Sequence, residues 1–341
     1  MPEPAAATAV ESGRARAAAA VRLAGPIAAT LSDDVRRIVV VGAGGWVGRS
    51  VTQMLYVALG AEGFARRVVC FGSRARALTL ADGTRFAQFA LDDLAGLRCQ
   101  PTLLMHLAFL TKDKVAGMTE ADYVTANRHI SDAVASALDR IGTDRLFVAS
   151  SGAAAFTDDP AAAHDLRLYG GLKRDDEERF AAWAGAAPAR RAAIGRLYAV
   201  SGPFINKPEA YALADFILSA LDGQPVTVHA SQPVYRSYVA LRELLSLVFA
   251  ILLAPRGPAV TRFDTGGEAL ELGELASKVA QVVGGRADRA EIVRLEANRY
   301  VGAHDRWVAL LAEHGLCHAP VEEQIAETAA WLRVVGRSAA P

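Results

Sequence analysis

The fold class of this 341-residue chain follows from Arg37-Ile-Val-Val-Val-Gly-Ala-Gly-Gly-Trp-Val-Gly48. Its first part is a short, unbroken, β-branched apolar run, which is typical of a strand buried on both faces of a parallel sheet. The three spaced glycines then allow a tight turn into a helix, close approach of the backbone to a pyrophosphate, and close packing of helix on strand. The stretch predicts a dinucleotide site with contacts from Gly42, Gly45, Trp46, Val47 and Gly48.

The alternation of strand and helix continues along the chain. Strands are predicted at 67–71, 103–107, 145–149 and 193–198, and helices at 46–59, 119–138, 271–283 and 322–335. This order predicts an α/β fold, a Rossmann-type doubly wound parallel sheet with a smaller C-terminal α/β substrate lobe. We predict a disordered N-terminal extension at 1–35, a dinucleotide-binding domain at 36–202, and a mainly substrate-binding lobe at 203–341, some segments of which return to the first domain.

Composition narrows the class of partner. The chain has 37 basic and 37 acidic residues, so nothing favours nucleic acid or an anionic membrane surface over a small molecule. The apolar run at 244–254 is too short to span a bilayer and predicts a buried helix. Three scattered cysteines predict reduced thiols in a cytoplasmic protein, and the seven histidines lack the spacing of metal ligands, so no metal is expected.

A second motif, Tyr169-Gly-Gly-Leu-Lys173, carries the chemistry. Residues four apart lie on one face of a helix, where an ammonium lowers the pKa of a neighbouring phenol. Such a phenol can exchange a proton near neutral pH, which an unperturbed tyrosine cannot do. Because the chain has only five lysines, a chance pair at this spacing is not expected. The motif predicts a nicotinamide-dependent oxidoreductase.

The end of the second predicted strand bears on the choice of cofactor. An acidic residue there would accept hydrogen bonds from the ribose hydroxyls of NAD and repel the 2′-phosphate of NADP. The chain has Gly72-Ser73-Arg74 instead, which offers a hydroxyl and a guanidinium. We therefore expect Ser73 and Arg74 to bind NADP(H) in preference to NAD(H). The competing interpretation is that Arg74 is a solvated loop charge.

Together the two motifs resemble the extended branch of the short-chain dehydrogenase/reductase superfamily, the NAD-dependent epimerase/dehydratase family. Other stretches resemble it too, over about residues 37 to 335: Leu104-Met-His-Leu-Ala108, Asn127, Phe147-Val-Ala-Ser-Ser-Gly152, Arg196-Leu-Tyr198, Gly202-Pro203, Arg236-Ser-Tyr-Val239 and Trp331. His106, within the first of these, is interpreted as a satisfied histidine at a strand end.

The resemblance implies a role for each matching residue. Ser151 would hydrogen-bond the reacting carbonyl or hydroxyl, and Tyr169 would give or take its proton. Lys173 would hold the nicotinamide ribose and lower the pKa of the tyrosine. Arg236 would clamp a substrate diphosphate, because a planar fork of donors suits phosphate oxygens. Further cofactor contacts are implied for Asp93 and Leu94 at the adenine, for Leu107 and Ala108 along the channel, and for Asn127. A homodimer through residues 119–138 and 169–184 is implied as well.

The sequence also departs from the family pattern. Gly152-Ala153 stands where the 4,6-dehydratases carry an acidic pair, which disfavours dehydration. Alignment near Ser151 requires a one-residue gap, so Ser150 is an alternative catalytic hydroxyl. Ala199 replaces a substrate-contacting asparagine of many members, and residues 240–243 replace the usual histidine and aspartate after the arginine loop. These differences leave the substrate open.

The leading hypothesis is an NAD(P)-dependent oxidoreductase that reduces the 4-keto group of a nucleotide-linked sugar or epimerises the sugar through a transient ketone. The alternatives are a ketoreductase of a small apolar substrate, of the flavonol or steroid type, and a non-catalytic NADP(H)-binding sensor or scaffold.

Overall fold

Strands and helices alternate through the computed structural model, which describes residue 13, residues 15–111 and residues 117–335. The strands are β1 Arg37–Val41, β2 Val68–Gly72, β3 Arg76–Thr79, β4 Arg85–Ala90, β5 Thr102–His106, β6 Thr143–Ser151, β7 Arg191–Leu197, β8 Ala199–Ser201, β9 Val226–Val228, β10 Val234–Ala240, β11 Val260–Asp264, β12 Ala269–Glu271, β13 Ala287–Arg289 and β14 Asn298–Tyr300. The helices are α1 Gly25–Asp33, α2 Trp46–Arg67, α3 Glu120–Leu138, α4 His164–Gly185, α5 Ala212–Leu221, α6 Leu241–Leu253, α7 Leu272–Val283, α8 His304–Glu313 and α9 Val321–Val335.

The chain divides into two compact units. The sheet unit comprises residues 25–197 and 246–264, and the C-terminal unit comprises residues 198–245 and 265–335 together with the described residues before Gly25.

The sheet unit contains an eight-stranded sheet in the order β11-β7-β6-β5-β1-β2-β4-β3. Its strands pair in parallel, except that β3 runs antiparallel to β4. Chain order runs outward from β1 in both directions, so the topology reverses between β1 and β5, where ligands bind at the carboxyl ends of the strands. This confirms the predicted Rossmann-type doubly wound fold.

The central strand and the helices differ slightly from their predicted bounds. Ile38 to Val41 are buried, as the β-branched run indicated. Helix α2 does not stop at Gly60; it kinks there, with φ +68°, and resumes as far as Arg67. A glycine tolerates this left-handed conformation, so it interrupts the helix without ending it. The apolar run at 244–254 forms most of the buried helix α6.

The N-terminal prediction needs a correction. Residues 25–33, expected within a disordered extension, form helix α1. Its Leu31 side chain is buried, and the Arg67 guanidinium donates to the Leu31 carbonyl over 2.8 Å. This long-range bond stabilises the end of a short helix that composition alone does not support. Residues 1–12 and 14 of the predicted extension lie outside the described residues.

The C-terminal unit has its own sheets and core. Strand β10 pairs with β8, β12 and β14, while β9 pairs with β13. Apolar residues of α5, α7 and α9 pack together over these strands, among them Ile217, Leu275 and Ile325. Across the described parts of the chain, none of the helices combines the length and apolar character that a membrane crossing requires.

Candidate active site

The glycine turn lies between β1 and α2, at the carboxyl edge of the sheet. A Cβ atom at residue 48 would lie 2.1 Å from the Gly42 carbonyl oxygen, so only glycine lets the helix start this close to the strand. Gly45 caps α2 without a side-chain hydrogen bond, which leaves the amino end of the helix with its positive partial charge unneutralised by a side chain. Both properties fit a pyrophosphate.

The segment after β5 forms the opposite wall of this turn. A Cβ atom at Gly42, whose φ is +95°, would lie 2.7 Å from the Ala108 nitrogen. Asn127 accepts from the Leu110 amide over 2.8 Å, and Tyr123 donates to the Leu110 carbonyl over 2.7 Å. The structure therefore brings Leu107 and Ala108 to the turn. It gives Asn127 a supporting role, because its side-chain amide is committed to the backbone of this wall.

The end of β2 is surrounded by arginines. Ser73 and Arg74 are exposed there. The Arg76 guanidinium lies against the turn, since a Cβ atom at Gly44 would be 1.9 Å from its Nη2. Burial lowers the pKa of Arg49, and the nearby positive charge of Arg76 lowers it further. Neither Arg49 nor Arg76 was among the predicted residues.

Gln88 on β4 supports this arginine group from below. Its side chain is buried beneath Gly72 and donates to the Arg74 carbonyl over 2.8 Å. Its Oε1 atom accepts no hydrogen bond from the described residues. The bond to Arg74 fixes the loop that carries the predicted cofactor contacts.

The predicted adenine contacts lie in a 3-10 helix at Leu91–Gly96. Asp93 is exposed, whereas the Leu94 side chain is 1% exposed and packs into the core. Only the backbone of Leu94 is thus left for contact with a ring, which narrows the role expected from the sequence.

The two candidate serines differ in their partners. Ser150 donates to Glu177 Oε1 over 2.5 Å, so its hydroxyl proton is committed to a buried carboxylate. Ser151 ends β6 and accepts from the Ala153 amide over 3.2 Å. A hydroxyl can accept such a bond and also donate one, so the bond from Ala153 does not use the Ser151 proton.

Tyr169 lies on α4 near the residues that follow Ser151. A Cβ atom at Gly170 would lie 2.2 Å from the Ala153 carbonyl oxygen, so glycine at this position allows the helix to approach the end of β6 closely. The ring of Tyr169 meets that of Phe109 edge-on, with 5.6 Å between the centroids. The serine and the tyrosine are therefore held at the same edge of the sheet.

Lys173 lies one turn further along α4 and is buried. Its Nζ donates to the Ala149 carbonyl over 2.7 Å and lies 3.7 Å from the centroid of the Phe109 ring. Burial lowers the pKa of Lys173 to about 8, against the opposing effect of the Asp176 and Glu177 charges. An ammonium with this pKa keeps its proton at neutral pH and loses it just above.

Behind these groups, Glu177 forms a buried anchor. Both of its carboxylate oxygens accept from Arg196, over 2.8 and 2.7 Å. Bidentate pairing of this kind is among the stronger contacts in proteins. It joins α4 to β7, and through Ser150 to β6.

Arg236 belongs to the C-terminal unit, on β10. Its guanidinium donates to the Tyr235 carbonyl over 2.8 Å and to Asn298 Oδ1 over 2.9 Å, and burial lowers its pKa. Next to it, Tyr300 on β14 contacts the ring of Tyr198, with 4.9 Å between the centroids and 51° between the ring planes. Arg236 is thus fixed by its own unit, separately from the serine, tyrosine and lysine.

Sequence reasoning missed Phe109, Asp176 and Glu177. A signal for the two acids existed, because residues three and four positions after Lys173 share its helix face. The run Asp175-Asp-Glu-Glu178 resembles a solvated face, and only half of it is solvated. Phe109 follows the matched stretch and carried no motif.

Solved structures share this architecture over most of their length. The UDP-glucose 4-epimerase of Thermus thermophilus, in complex with NAD, gives a TM-score of 0.62 at 20% identity, over 87% of this chain and 99% of that one. The UDP-N-acetylglucosamine 4-epimerase of Methanobrevibacter ruminantium M1, in complex with UDP-N-acetylmuramic acid, gives 0.66 at 15%, over 87% and 98%. A dTDP-glucose 4,6-dehydratase of Streptomyces venezuelae with NAD bound gives 0.62 at 17%, over 87% and 97%. At these identities the likeness shows the fold.

No curated protein matches the sequence. A family pattern does: residues 38–265, two thirds of the chain, match the NAD dependent epimerase/dehydratase family. That range holds the glycine turn, the end of β6 and the Tyr169–Lys173 pair, which are the parts that the structure brings to one sheet edge. By sequence pattern and by fold, the chain is a member of the NAD-dependent epimerase/dehydratase family.

Proposed function

We propose that this protein is an NAD(P)-dependent oxidoreductase of nucleotide-linked sugars, which reduces a 4-keto group or epimerises through a transient ketone. The observation that carries the proposal is the buried Lys173 ammonium, bonded to β6 on the same helix face as Tyr169. Burial of a cation costs free energy. That cost has a functional explanation if the ammonium stabilises the phenolate form of Tyr169.

The roles of the three residues follow from their surroundings. Ser151 donates to the reacting oxygen, since the hydroxyl of Ser150 is committed to Glu177. Tyr169 gives its proton to that oxygen in reduction and takes it in oxidation. The Lys173 ammonium lowers the pKa of the phenol so that either transfer proceeds near neutral pH. A bound nicotinamide dinucleotide would exchange hydride with the carbon that bears this oxygen.

The dinucleotide would be held along the carboxyl edge of the sheet. The turn at Gly42, Gly45 and Gly48, with Trp46 and Val47, fits the pyrophosphate; Leu107 and Ala108 line the channel, and Lys173 reaches the nicotinamide ribose. Asp93 and the Leu94 backbone contact the adenine. The room that the glycines leave supports this placement, because side chains there would collide with the backbone.

We propose NADP(H) as the preferred cofactor. Ser73, Arg74, Arg76 and Arg49 offer a hydroxyl and three guanidiniums at the end of β2, where no carboxylate stands. Two of the solved structures compared above hold NAD, which makes the preference a point of difference to be tested. A preference for NADPH supports a reductase, since a reductase releases its oxidised cofactor at every turnover.

The first experiment is native mass spectrometry of the freshly purified protein, followed by titration with NADPH and NADH. An empty site that fills preferentially with NADPH, with turnover of a nucleotide-linked 4-keto sugar, would support a reductase. Tightly held NAD⁺ would overturn the cofactor preference and support an epimerase. Absence of binding to either dinucleotide would contradict the proposal as a whole.

A small apolar ketone is the second candidate substrate. The Tyr198 and Tyr300 rings, which contact each other beside Arg236, favour it because they are an aromatic surface. The variant Arg236→Ala separates the two. Loss of activity on the nucleotide-linked sugar supports a diphosphate clamp, whereas retained activity on it points to the apolar ketone.

We further propose a homodimer through α3 and α4, in the cytoplasm. The two helices contact each other, and polar pairs link them: Arg179 with Asp132 over 2.6 Å and His164 with Glu120 over 2.9 Å. These residues are exposed and would lie at an interface formed by the helices. Sedimentation at several concentrations tests it, and a monomer at every concentration would contradict it.

A further inference from the structure

Two buried carboxylates follow Lys173 on α4, and they differ in their hydrogen-bond partners. Glu177 is satisfied by Arg196 and Ser150. Asp176 is equally buried, yet its Oδ2 accepts no hydrogen bond from the described residues. A buried carboxylate with one unbonded oxygen is costly, so the position of Asp176 calls for a compensating charge.

His106 is the nearest candidate, but burial disfavours its charged form. Its Nε2 lies 3.7 Å from Asp176 Oδ2, beyond hydrogen-bond distance. The imidazole is buried, and its Nδ1 also has no hydrogen-bond partner among the described residues. Burial lowers the pKa of His106, an effect that Asp176 opposes and the charge on Lys173 reinforces.

Lys173 is the second candidate for that charge. Its ammonium is one helical turn before Asp176 and donates to a neutral carbonyl, not to a carboxylate. We propose that Asp176 is a positioning residue that keeps Lys173 protonated, as the counter-charge of the ammonium that Tyr169 requires. The inference rests on the proposed function for its catalytic meaning, although the pairing itself can be measured without a substrate.

The surroundings of Asp176 support a carboxylate in its charged form. Burial alone would raise its pKa, but His106, Lys173 and Ser131 outweigh it, and the pKa lies below the ordinary value. Asp176 also lines a pocket of about 240 Å³, together with Phe109, Asn127 and Ser131, which gives the carboxylate room for water.

Other charged groups face this cluster and are paired or lie at its rim. They are Tyr169, Asp175, Glu177 and Arg179 on α4, Arg128 and Asp132 on α3, His106 at the end of β5 and Arg196 on β7. Arg179 and Asp132 pair with each other over 2.6 Å at the mouth of the pocket. Glu177 and Arg196 do so inside, and the Glu177 charge raises the pKa of Lys173 less than that of Asp176 does.

The test is a pH titration of the lysine side chains by NMR, using protein with ¹³C- and ¹⁵N-labelled lysine and no ligand. The chain has five lysines, and Lys173→Met identifies the signal of interest. The wild-type midpoint is expected at about 8. In Asp176→Asn it should fall by about one to three pH units, the effect of removing a nearby opposite charge.

Asp175→Asn is the matched control, because the neighbouring residue lines the rim of the same pocket and is exposed. It should leave the Lys173 midpoint unchanged. If Asp176→Asn does not fold, Asp176→Ala makes the same comparison and leaves space for water. An unchanged midpoint in the folded Asp176 variant overturns the proposal.

Activity gives the second readout. The alkaline limb of kcat should move to lower pH in Asp176→Asn by the same interval as the NMR midpoint. The NMR result does not depend on turnover. A shifted midpoint in a protein that turns over no ketone would sustain the pairing and refute the proposed function, whereas an active enzyme with an unshifted midpoint would do the reverse.

Discussion

The two ends of the candidate cofactor site are built in opposite ways. At the end of β6, the polar groups are bonded within the chain: Lys173 to Ala149, and Glu177 to Arg196 and Ser150. At the end of β2, the chain leaves its groups open. Arg74 and Arg76 make no ion pair with any described residue, and Gln88 Oε1 accepts no hydrogen bond from them.

The difference fits the role that we propose for each end. Proton transfer requires a charge state that already exists when the substrate arrives, so the chain fixes it by burial and internal bonds. Binding of an anion requires donors whose partner is the ligand itself. Four variants or conditions test this contrast, and they are ordered here by the size of the expected effect.

The largest effect is expected from Tyr169→Phe. This change removes the phenolic hydroxyl, the proposed proton donor, and keeps the ring that packs on Phe109. We expect kcat to fall by about 10² to 10⁴-fold, with dinucleotide affinity and melting temperature unchanged. Tyr211→Phe, at an exposed tyrosine, is the control. Full activity of the Tyr169→Phe variant would show that catalysis does not require the group proposed at the end of β6.

Glu177→Gln should cost stability. The change leaves the Arg196 guanidinium without its carboxylate and weakens the bond from Ser150. Because Arg196 is partly exposed, we expect a loss of about 3 kcal/mol in the free energy of unfolding, at the low end for a broken buried pair. Urea denaturation measures it. Glu178→Gln, whose carboxylate pairs with Arg262 at the surface, should cost about 1 kcal/mol or less. Equal losses would contradict a special role for Glu177.

The pH dependence of reduction should follow Lys173. The lysine carries its charge below its pKa of about 8 and loses it above, so the phenol loses its neighbouring cation on the alkaline side. We expect kcat to fall about tenfold per pH unit above that midpoint. A profile that stays level to pH 10 would show that the ammonium is not required.

The smallest effect concerns the open end of the site. Arg76→Ala should weaken NADPH binding by about tenfold, the value of one charge-assisted hydrogen bond near the surface, and leave NADH binding unchanged. Arg85→Ala, at another exposed arginine of the adjacent strand β4, is the control. Equal weakening for both dinucleotides would mean that Arg76 only packs on the glycine turn.

The sequence predicted the parts of this site that depend on local patterns. Strand β1, the glycine turn and the Tyr169–Lys173 spacing are each contained within a dozen residues, and period and turn chemistry describe them well. The family resemblance added predictions for Ser151 and for Leu107 and Ala108 along the cofactor channel. Helix and strand bounds differed by a few residues, mainly at α2, where a glycine kink was interpreted as an end.

The parts that were missed depend on contacts between distant segments. Arg76 reaches Gly44 because β3 turns back along β4, and Glu177 meets Arg196 because β7 lies beside β6. Helix α1 is stabilised by Arg67, more than thirty residues away. No local propensity encodes such pairs, and a run of acids gives no indication of which members become buried.

Both margins of the eight-stranded sheet are short strands that carry an exposed arginine, Arg76 on the four-residue β3 and Arg262 on the five-residue β11. A foreign strand that added to either margin would bring its backbone alongside a guanidinium. Edge-to-edge growth into aggregates is therefore opposed at both sides. A substitution such as Arg76→Ala changes colloidal behaviour as well as ligand preference, and the purified variant should be compared with the wild type by light scattering before its affinities are measured.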